Sequence, residues 1–323
     1  MGRPGRGGLA REAHARGAAP LRGGQAAVPG LKNVRVAAQP IAWSNDDFRD
    51  LGADIPLERC LSEMREAGYE GTELGHKFPR RAPALRRVLG RYGLELASAW
   101  HSARLLSRSF ASERAALRGH LRLLKALGCR VAVVAECTGR SYADGGPIRW
   151  SGEDNGLSPA EWAALCLRLD ALADLAAEAG LRLAYHPHLG TAIQREDEVD
   201  RLLRGTRRLG LVADTGHLAC AGADARRVVK AWTRRIAHVH LKDVRPSVLA
   251  RAKRGRRTFE EAVRAGLFTV PGDGGLDFAA ILRELDRARY RGWLVVEAEQ
   301  DPARAEPLAY ARRARRHLRE LGV

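Results

Sequence analysis

Long apolar runs are missing from this chain. Nowhere do the roughly 20 consecutive apolar residues needed to cross a bilayer occur, so no membrane partner is expected. The N-terminal stretch carries no hydrophobic segment of the kind that marks a secretory signal. Cysteine is scarce and dispersed: Cys60, Cys129, Cys137, Cys166 and Cys220 form no C-x-x-C pair. Such a set argues for free thiols in a reducing, cytoplasmic setting and against a disulfide framework. Lysine is rarer than its charge partner: of 55 basic side chains only six are lysines, so the net charge of +17 is carried by arginine. The basic clusters at residues 251–257 and 312–319 contain no interleaved aromatic residues. Without stacking platforms they read as solvated helix faces, and no nucleic-acid partner is expected. A glycine-rich phosphate loop is also absent after the first predicted strand, which disfavours a dinucleotide-binding sheet.

What the chain does contain is 45% apolar and 29% charged residues over a length of 323, a globular balance that suits one α/β barrel. Residues 1–31 are rich in Gly, Arg and Ala without hydrophobic period, and are expected to form a disordered basic arm. Residues 32–323 are expected to form a single domain. Within it, strand and helix patterns alternate. The predicted strands cover residues 34–43, 71–75, 95–101, 130–136, 182–188, 211–215, 236–241 and 293–299. Leu57, Cys60, Leu61 and Met64 fall at i, i+3, i+4 and i+7, one apolar helical stripe. Ser158-Pro159-Ala160-Glu161 predicts a capping box opening a helix to Ala179. Gly68, Gly93, Gly128, Gly180, Gly210 and Gly292 each stand between a helix and the next strand, where a left-handed turn is needed. Eight strands in such units predict a (β/α)8 TIM barrel. Two longer inserts, residues 137–156 and 244–275, follow strands four and seven. They should lie on the face where such barrels hold their sites.

Four of these strands end in metal-binding residue types: Tyr185-His186-Pro187-His188, Asp214-Thr215-Gly216-His217, His238-Val239-His240 and Val296-Glu297-Ala298-Glu299. Alternate strand residues share a face, so His186 pairs with His188, His238 with His240 and Glu297 with Glu299. A carboxylate closing an apolar strand must be paired, protonated or metal-bound. The competing reading for Asp214 and Glu297 is a salt bridge at the barrel mouth. Mixed imidazole and carboxylate donors suit a catalytic divalent ion, with one of His238 and His240, and His186 or His188, completing the set. Glu136, ending strand four, is a candidate general base. His217 is a candidate polar partner of substrate or ligand. Lys77 and Lys242 stand at strand ends, where they suit oxyanion or hydroxyl binding. Trp43, Asn45, Trp100 and His101 end strands one and three, where they would floor a sugar-like ring or simply pack the mouth.

At these residues the chain resembles the xylose isomerase-like barrel superfamily of sugar isomerases, epimerases and dehydratases, and within it the inosose dehydratases. The likeness covers about residues 33–310. It is carried by Pro40-Ile41-Ala42-Trp43-Ser44-Asn45-Asp46-Asp47, Glu73-Leu74-Gly75-His76-Lys77-Phe78-Pro79, Trp100-His101-Ser102, Asp214-Thr215-Gly216-His217-Leu218, the stretch from His238 to Arg245, that from Phe268 to Gly274, and that from Gly292 to Pro302. The resemblance implies a divalent ion, manganese or cobalt, on one residue from each of strands five to eight: His186, Asp214, His240 and Glu297. Many relatives carry Glu where this chain has His186, and a run of histidines where it reads His-Pro-His, which leaves the division of roles between His186 and His188 open. Glutathione is a further cofactor that the family implies.

The function implied is dehydration of 2-keto-myo-inositol, a small polyhydroxy cyclic ketone. Glu136 or His188 would be the base, and His217 or Lys242 would assist the leaving group or the enolate. Trp43, Asn45, Lys77, Trp100, His101 and Glu299 would touch substrate. A ketose isomerase or epimerase shares the enediolate chemistry and is the alternative. A DNA-repair endonuclease of the same superfamily needs more histidines than the stretch Pro271-Gly272-Asp273-Gly274-Gly275 supplies. A non-catalytic sugar-binding module would not need several convergent ligands. Assembly with further copies in a homo-oligomer is compatible with this reading.

Overall fold

In the computed structural model of the protein the described residues are Leu31, 33–138, Gly145, 148–150 and 152–323. The expected basic arm lies outside them except for its last residue, Leu31, which is buried in the core. The chain runs β1 (Val34–Ala38), α1 (Leu57–Ala67), β2 (Gly71–Thr72), α2 (Ala82–Arg91), β3 (Glu95–Leu96), β4 (Trp100–Ala103), α3 (Phe110–Ala126) and β5 (Val131–Glu136). It continues with α4 (Pro159–Glu178), β6 (Arg182–Tyr185), α5 (Glu196–Arg204), β7 (Gly210–Asp214), α6 (Thr215–Cys220), α7 (Ala225–Ala231) and β8 (Ile236–Leu241). Last come β9 (Asp243–Val244), α8 (Pro246–Arg254), α9 (Phe259–Arg264), β10 (Phe268–Thr269), α10 (Phe278–Arg287), β11 (Gly292–Val296) and α11 (Pro307–Glu320).

The main sheet is parallel, in the order β3-β2-β1-β11-β8-β7-β6-β5-β4. First and last barrel strands pair, Val34 opposite Gly292 through Ala38 opposite Val296. The two ends of that order are successive pieces of one stretch, residues 95–103. β3 pairs with β2 and β4 with β5. Between them the Ala97 amide donates to Thr72 O at 2.8 Å, and the Val133 amide donates to Ala99 O at 3.2 Å. The third barrel strand is therefore interrupted, but it joins both neighbours and closes the ring of eight expected from the sequence.

Alternation places small side chains deep in the ring and polar ones above them. Val133, Ala184, Val212 and Ala237 form one interior cluster, and Ala37, Ala97 and Val295 another. Two residues further along the same strand faces stand Gln39, His186, Asp214 and Glu297. The large apolar residues, such as Leu61, Met64, Leu85, Leu117 and Leu172, pack between strands and helices.

The capping box forms as expected, with the Ser158 hydroxyl accepting from the Glu161 amide and the Glu161 carboxylate from the Ser158 amide. Two expectations need correction. The strands stop short of the predicted ends: β1 at Ala38, β2 at Thr72, β6 at Tyr185 and β11 at Val296. One more ladder bond follows, from the amides of Gln39, His186 and Glu297 to Val296, Val134 and Leu241. Beyond Gln39 and His186 a proline, Pro40 or Pro187, has no amide hydrogen to continue. Gly210, moreover, is not a left-handed helix terminator like Gly68 (φ 90°). It opens β7, where an added Cβ would stand 2.8 Å from that of Ala237.

The insert after β8 pairs β9 with β10 in an antiparallel ribbon and packs α8 and α9 beneath its own apolar cluster, which includes Val248, Phe259 and Phe268. Phe259 and Phe268 roof the barrel mouth beside His188 and His217. No described helix is long and apolar enough to cross a membrane. Gly210→Val is expected to cost about 1–3 kcal/mol through overpacking against Ala237, read as a lowered thermal midpoint; an unchanged midpoint would contradict this account of the interior.

Candidate metal centre and active site

Four side chains from four consecutive strand ends converge. His186 follows β6, Asp214 ends β7, His240 lies in β8 and Glu297 follows β11. One ligand atom of each falls within 4.8 Å of all the others. Asp214 Oδ2 lies 3.3 Å from His186 Nε2 and 3.5 Å from His240 Nδ1, while Glu297 Oε2 lies 2.6 Å from His240 Nδ1. Despite these short approaches, neither carboxylate oxygen accepts a hydrogen bond, and His186 Nε2 and His240 Nδ1 instead lie 3.1 Å from each other. All four residues are buried. Orphaned carboxylate oxygens facing imidazole nitrogens in a buried cluster fit a cation shared among them. These residues fit the expected divalent ion.

Second partners fix the donors. Asp214 Oδ1 caps α6 by accepting the His217 amide at 2.8 Å, which leaves Oδ2 for the cluster. His240 turns Nδ1 toward the carboxylates and Nε2 toward Glu73, 3.4 Å away. Glu73 also accepts from His238 Nε2 and from Gln39 Nε2, both at 2.8 Å. His238 is thereby a core imidazole held by Glu73, and His240 joins the cluster. Burial alone would raise the Glu73 carboxyl, but the facing His240 and the hydrogen bonds from His238 and His240 outweigh it and leave it lowered. Glu73 is not among the site residues expected from the sequence, although it follows strand two just as Glu297 follows strand eight.

Above the cluster opens a cavity of about 250 Å³ lined by Gln39, Glu73, Trp100, His186, His188, His240, Glu297 and Glu299. Its rim carries Asp46, Asp47, Arg49 and Arg80. The Trp100 ring stands edge-on to His186 and His188, with centroids at 5.3 and 5.6 Å. His188 Nδ1 lies 2.8 Å from Leu189 O, so Nδ1 carries the hydrogen and Nε2 the lone pair. Burial, then the charges of His186 and Lys242, hold its pKa well below the usual imidazole value. Glu299 Oε1 is buried without a hydrogen bond, while Oε2 lies 3.0 Å from Lys242 Nζ. Burial pushes the Glu299 carboxyl up to about 7, against Lys242 and with help from Glu297.

The other predicted site residues do not reach this cavity. Glu136 is buried with Oε2 accepting the Leu105 amide at 2.6 Å and Oε1 the Thr138 amide at 2.8 Å, so it organises two loops. His217 and Lys242 are held against each other outside the cavity lining, Lys242 Nζ 2.8 Å from His217 Nε2 and 4.5 Å from the Phe268 ring. Trp43 is a core residue whose Nε1 donates to Glu63 at 2.7 Å. Asn45 Oδ1 accepts the Asp47 and Phe48 amides, both at 2.8 Å, and shapes the rim loop. Lys77 Nζ donates to the carbonyls of Gly52, Ala53 and Ile55 and ties that loop down. His101 points away from its neighbour Trp100, as alternate strand residues must. It packs on His120 at 5.3 Å, and burial lowers its pKa to about 4. Single strand-end positions were thus legible as polar, but which of them turn into the ring depended on where each strand breaks.

A model of the family described as xylose isomerase-like TIM barrel matches residues 61–321. The rhizopine catabolism protein MocC of Rhizobium meliloti is 48% identical over 91% of this chain and 90% of its own length. Inosose dehydratase of Geobacillus thermodenitrificans is 44% identical over 89% of this chain and 97% of its own. Among solved structures, a probable 3-DHS dehydratase from Bacillus anthracis superposes with a TM-score of 0.65 at 15% identity, covering 88% of this chain and 99% of that one. An L-ribulose 3-epimerase superposes at 0.63 with 18% identity over 90% and 95%. At those identities the structural matches speak for the fold, whereas the sequence relatives and the family model carry membership. This chain belongs to the xylose isomerase-like TIM barrel family.

Proposed function

We propose that the protein is a metal-dependent hydro-lyase that removes water from 2-keto-myo-inositol to give a cyclic trihydroxy dione, the dehydration step of inositol catabolism. The observation that carries this reading is the convergence of His186, Asp214, His240 and Glu297, two of their oxygens without hydrogen bonds, beneath a cavity walled by Trp100, His188 and Glu299. The two sequence relatives named dehydratase and catabolism protein, matched over nearly their full lengths, support the choice of reaction.

A divalent ion on those four residues, expected to be manganese or cobalt, supplies Lewis acidity toward a ketone oxygen and its developing enolate charge. The chain supplies the rest. Trp100 offers an apolar wall against which a compact ring can lie, edge-on to the imidazoles. His188, a lining imidazole whose Nδ1 is turned to Leu189 O, takes the proton from the carbon next to the ketone through Nε2. Glu299 Oε1 is placed to give a proton to the departing β-hydroxyl, which leaves as water. The enol so formed becomes the second ketone. Gln39 and Glu73 on the opposite wall, with Asp46, Asp47, Arg49 and Arg80 at the rim, provide hydrogen-bonding partners for the ring hydroxyls. A wall of buried polar groups discriminates strongly between stereoisomers, because a wrong one leaves those groups unpaired.

Incubation of the purified protein with 2-keto-myo-inositol, manganese or cobalt, and glutathione is expected to give the dione, followed by its absorbance. Epimerisation of an open-chain ketose with no dione formed would replace this reading with the isomerase one. Asp214→Asn is expected to lose most of the bound ion in metal analysis, and undiminished occupancy would rule out this centre. His188→Gln should keep the ion while turnover falls by about 10²–10⁴-fold, the usual worth of a general base. A loss confined to KM would assign His188 to binding instead.

A further inference from the structure

Beside the cluster, a second group of potential ligands, His188, His217 and Glu299, offers one atom each within 4.8 Å of the others. The space beside it is filled by Lys242, which is fully buried. Its Nζ lies 2.7 Å from Glu297 Oε1, 3.0 Å from Glu299 Oε2 and 2.8 Å from His217 Nε2. The Phe268 ring covers it at 4.5 Å. Lys242 itself is absent from the cavity lining, to which Glu297 and Glu299 belong. Two carboxylate oxygens, an imidazole nitrogen and an aromatic face are the surroundings a second cation would need. The stem is accommodated on purpose. At Gly216, a Cβ would meet Lys242 Cγ at 2.6 Å and Cδ at 2.8 Å, so glycine there leaves room for the lysine stem. Thr215 Oγ1 clamps the lysine backbone from both sides, accepting from its amide at 2.9 Å and donating to its carbonyl at 2.7 Å.

Resting on the metal centre proposed above, we propose that Lys242 is a built-in cation standing in the place of a second metal ion, so that the site takes one divalent ion and no more. Lys242 sets its ammonium against one oxygen each of Glu297 and Glu299, the positive charge that a second ion would otherwise bring there. A buried cluster that fell short by one or two charges would be costly. The same contact splits the work of Glu297, engaging Oε1 with the ammonium and leaving Oε2 toward His186, Asp214 and His240. Lys242 is in this sense a positioning residue, not a catalytic one.

Equilibrium dialysis of the full chain against manganese, with metal analysis, tests the idea. The unaltered protein is expected to bind one ion per chain, and Lys242→Ala two, the second on Glu297, Glu299 and His217. One ion in both proteins, with equal affinity, would overturn the inference while leaving the metal centre standing. No ion in the unaltered protein would bring down both. Should Lys242→Ala fail to fold, the charge-compensated pair Lys242→Met with Glu299→Gln decides the matter. It is expected to bind one ion and melt closer to the unaltered protein than Lys242→Met alone. If the two losses simply add, Lys242 does not balance Glu299 and the proposal fails.

Discussion

Burying several carboxylates in one place is the constraint around which this structure is arranged. Asp214, Glu297, Glu299 and Glu73 all lie inside the barrel mouth with almost no exposed surface. Each would return to water or take up a proton unless positive charge or N–H groups met it there. The chain meets the demand by a division of labour. Glu73 is satisfied by His238, His240 and Gln39. Glu299 leans on Lys242, and Asp214 and Glu297 each keep one oxygen aimed at the imidazoles of His186 and His240. The histidines, the lysine and the packing of the loops around them follow from that arrangement.

The barrel makes such a concentration possible. Parallel strands tilt into a ring whose interior narrows to small residues, Ala37, Ala97, Ala184, Val212 and Val295 among them. Above that floor the same strand faces present their next residues to a common centre. Because every strand ends on the same side, seven of the eight strand ends contribute to one site. The insert after β8 closes the remaining side with Phe259 and Phe268, which pack on His188 and His217, two mutually tilted imidazoles whose centroids lie 3.7 Å apart. Low dielectric then strengthens each charge contact inside.

Groups that do not touch the cavity still shape it. Glu136 binds the backbone of Leu105 and Thr138, joining the third barrel strand's loop to the fourth. Asn45 and Lys77 hold the loop that carries Asp46, Asp47 and Arg49 to the rim. Asp243 accepts the amides of Val244, Gly272, Gly274 and Leu276 and draws the ribbon over the mouth. Polar residues at strand ends thus serve two ends: some face the substrate space, others replace the backbone partners that a strand loses where the sheet stops.

The sequence by itself determined the barrel, because alternating strand and helix periods with glycine punctuation admit few other folds. It also brought candidate ligands to the ends of four strands. Asp214 closes an apolar strand, and a period of two puts His186 with His188, His238 with His240 and Glu297 with Glu299 on one face each. What it left open was set by tertiary structure alone. Whether Trp100 or His101 faced inward depended on the break in the third strand, which local propensity does not record. The opposite fates of His238 and His240 depended on Glu73, a residue 165 positions away from the first of them. The withdrawal of Glu136, His217 and Lys242 from the cavity depended on amides and carboxylates brought in by distant loops. Position along a strand is a local property and is written in the chain; the partner that claims a side chain is decided only when the ring closes.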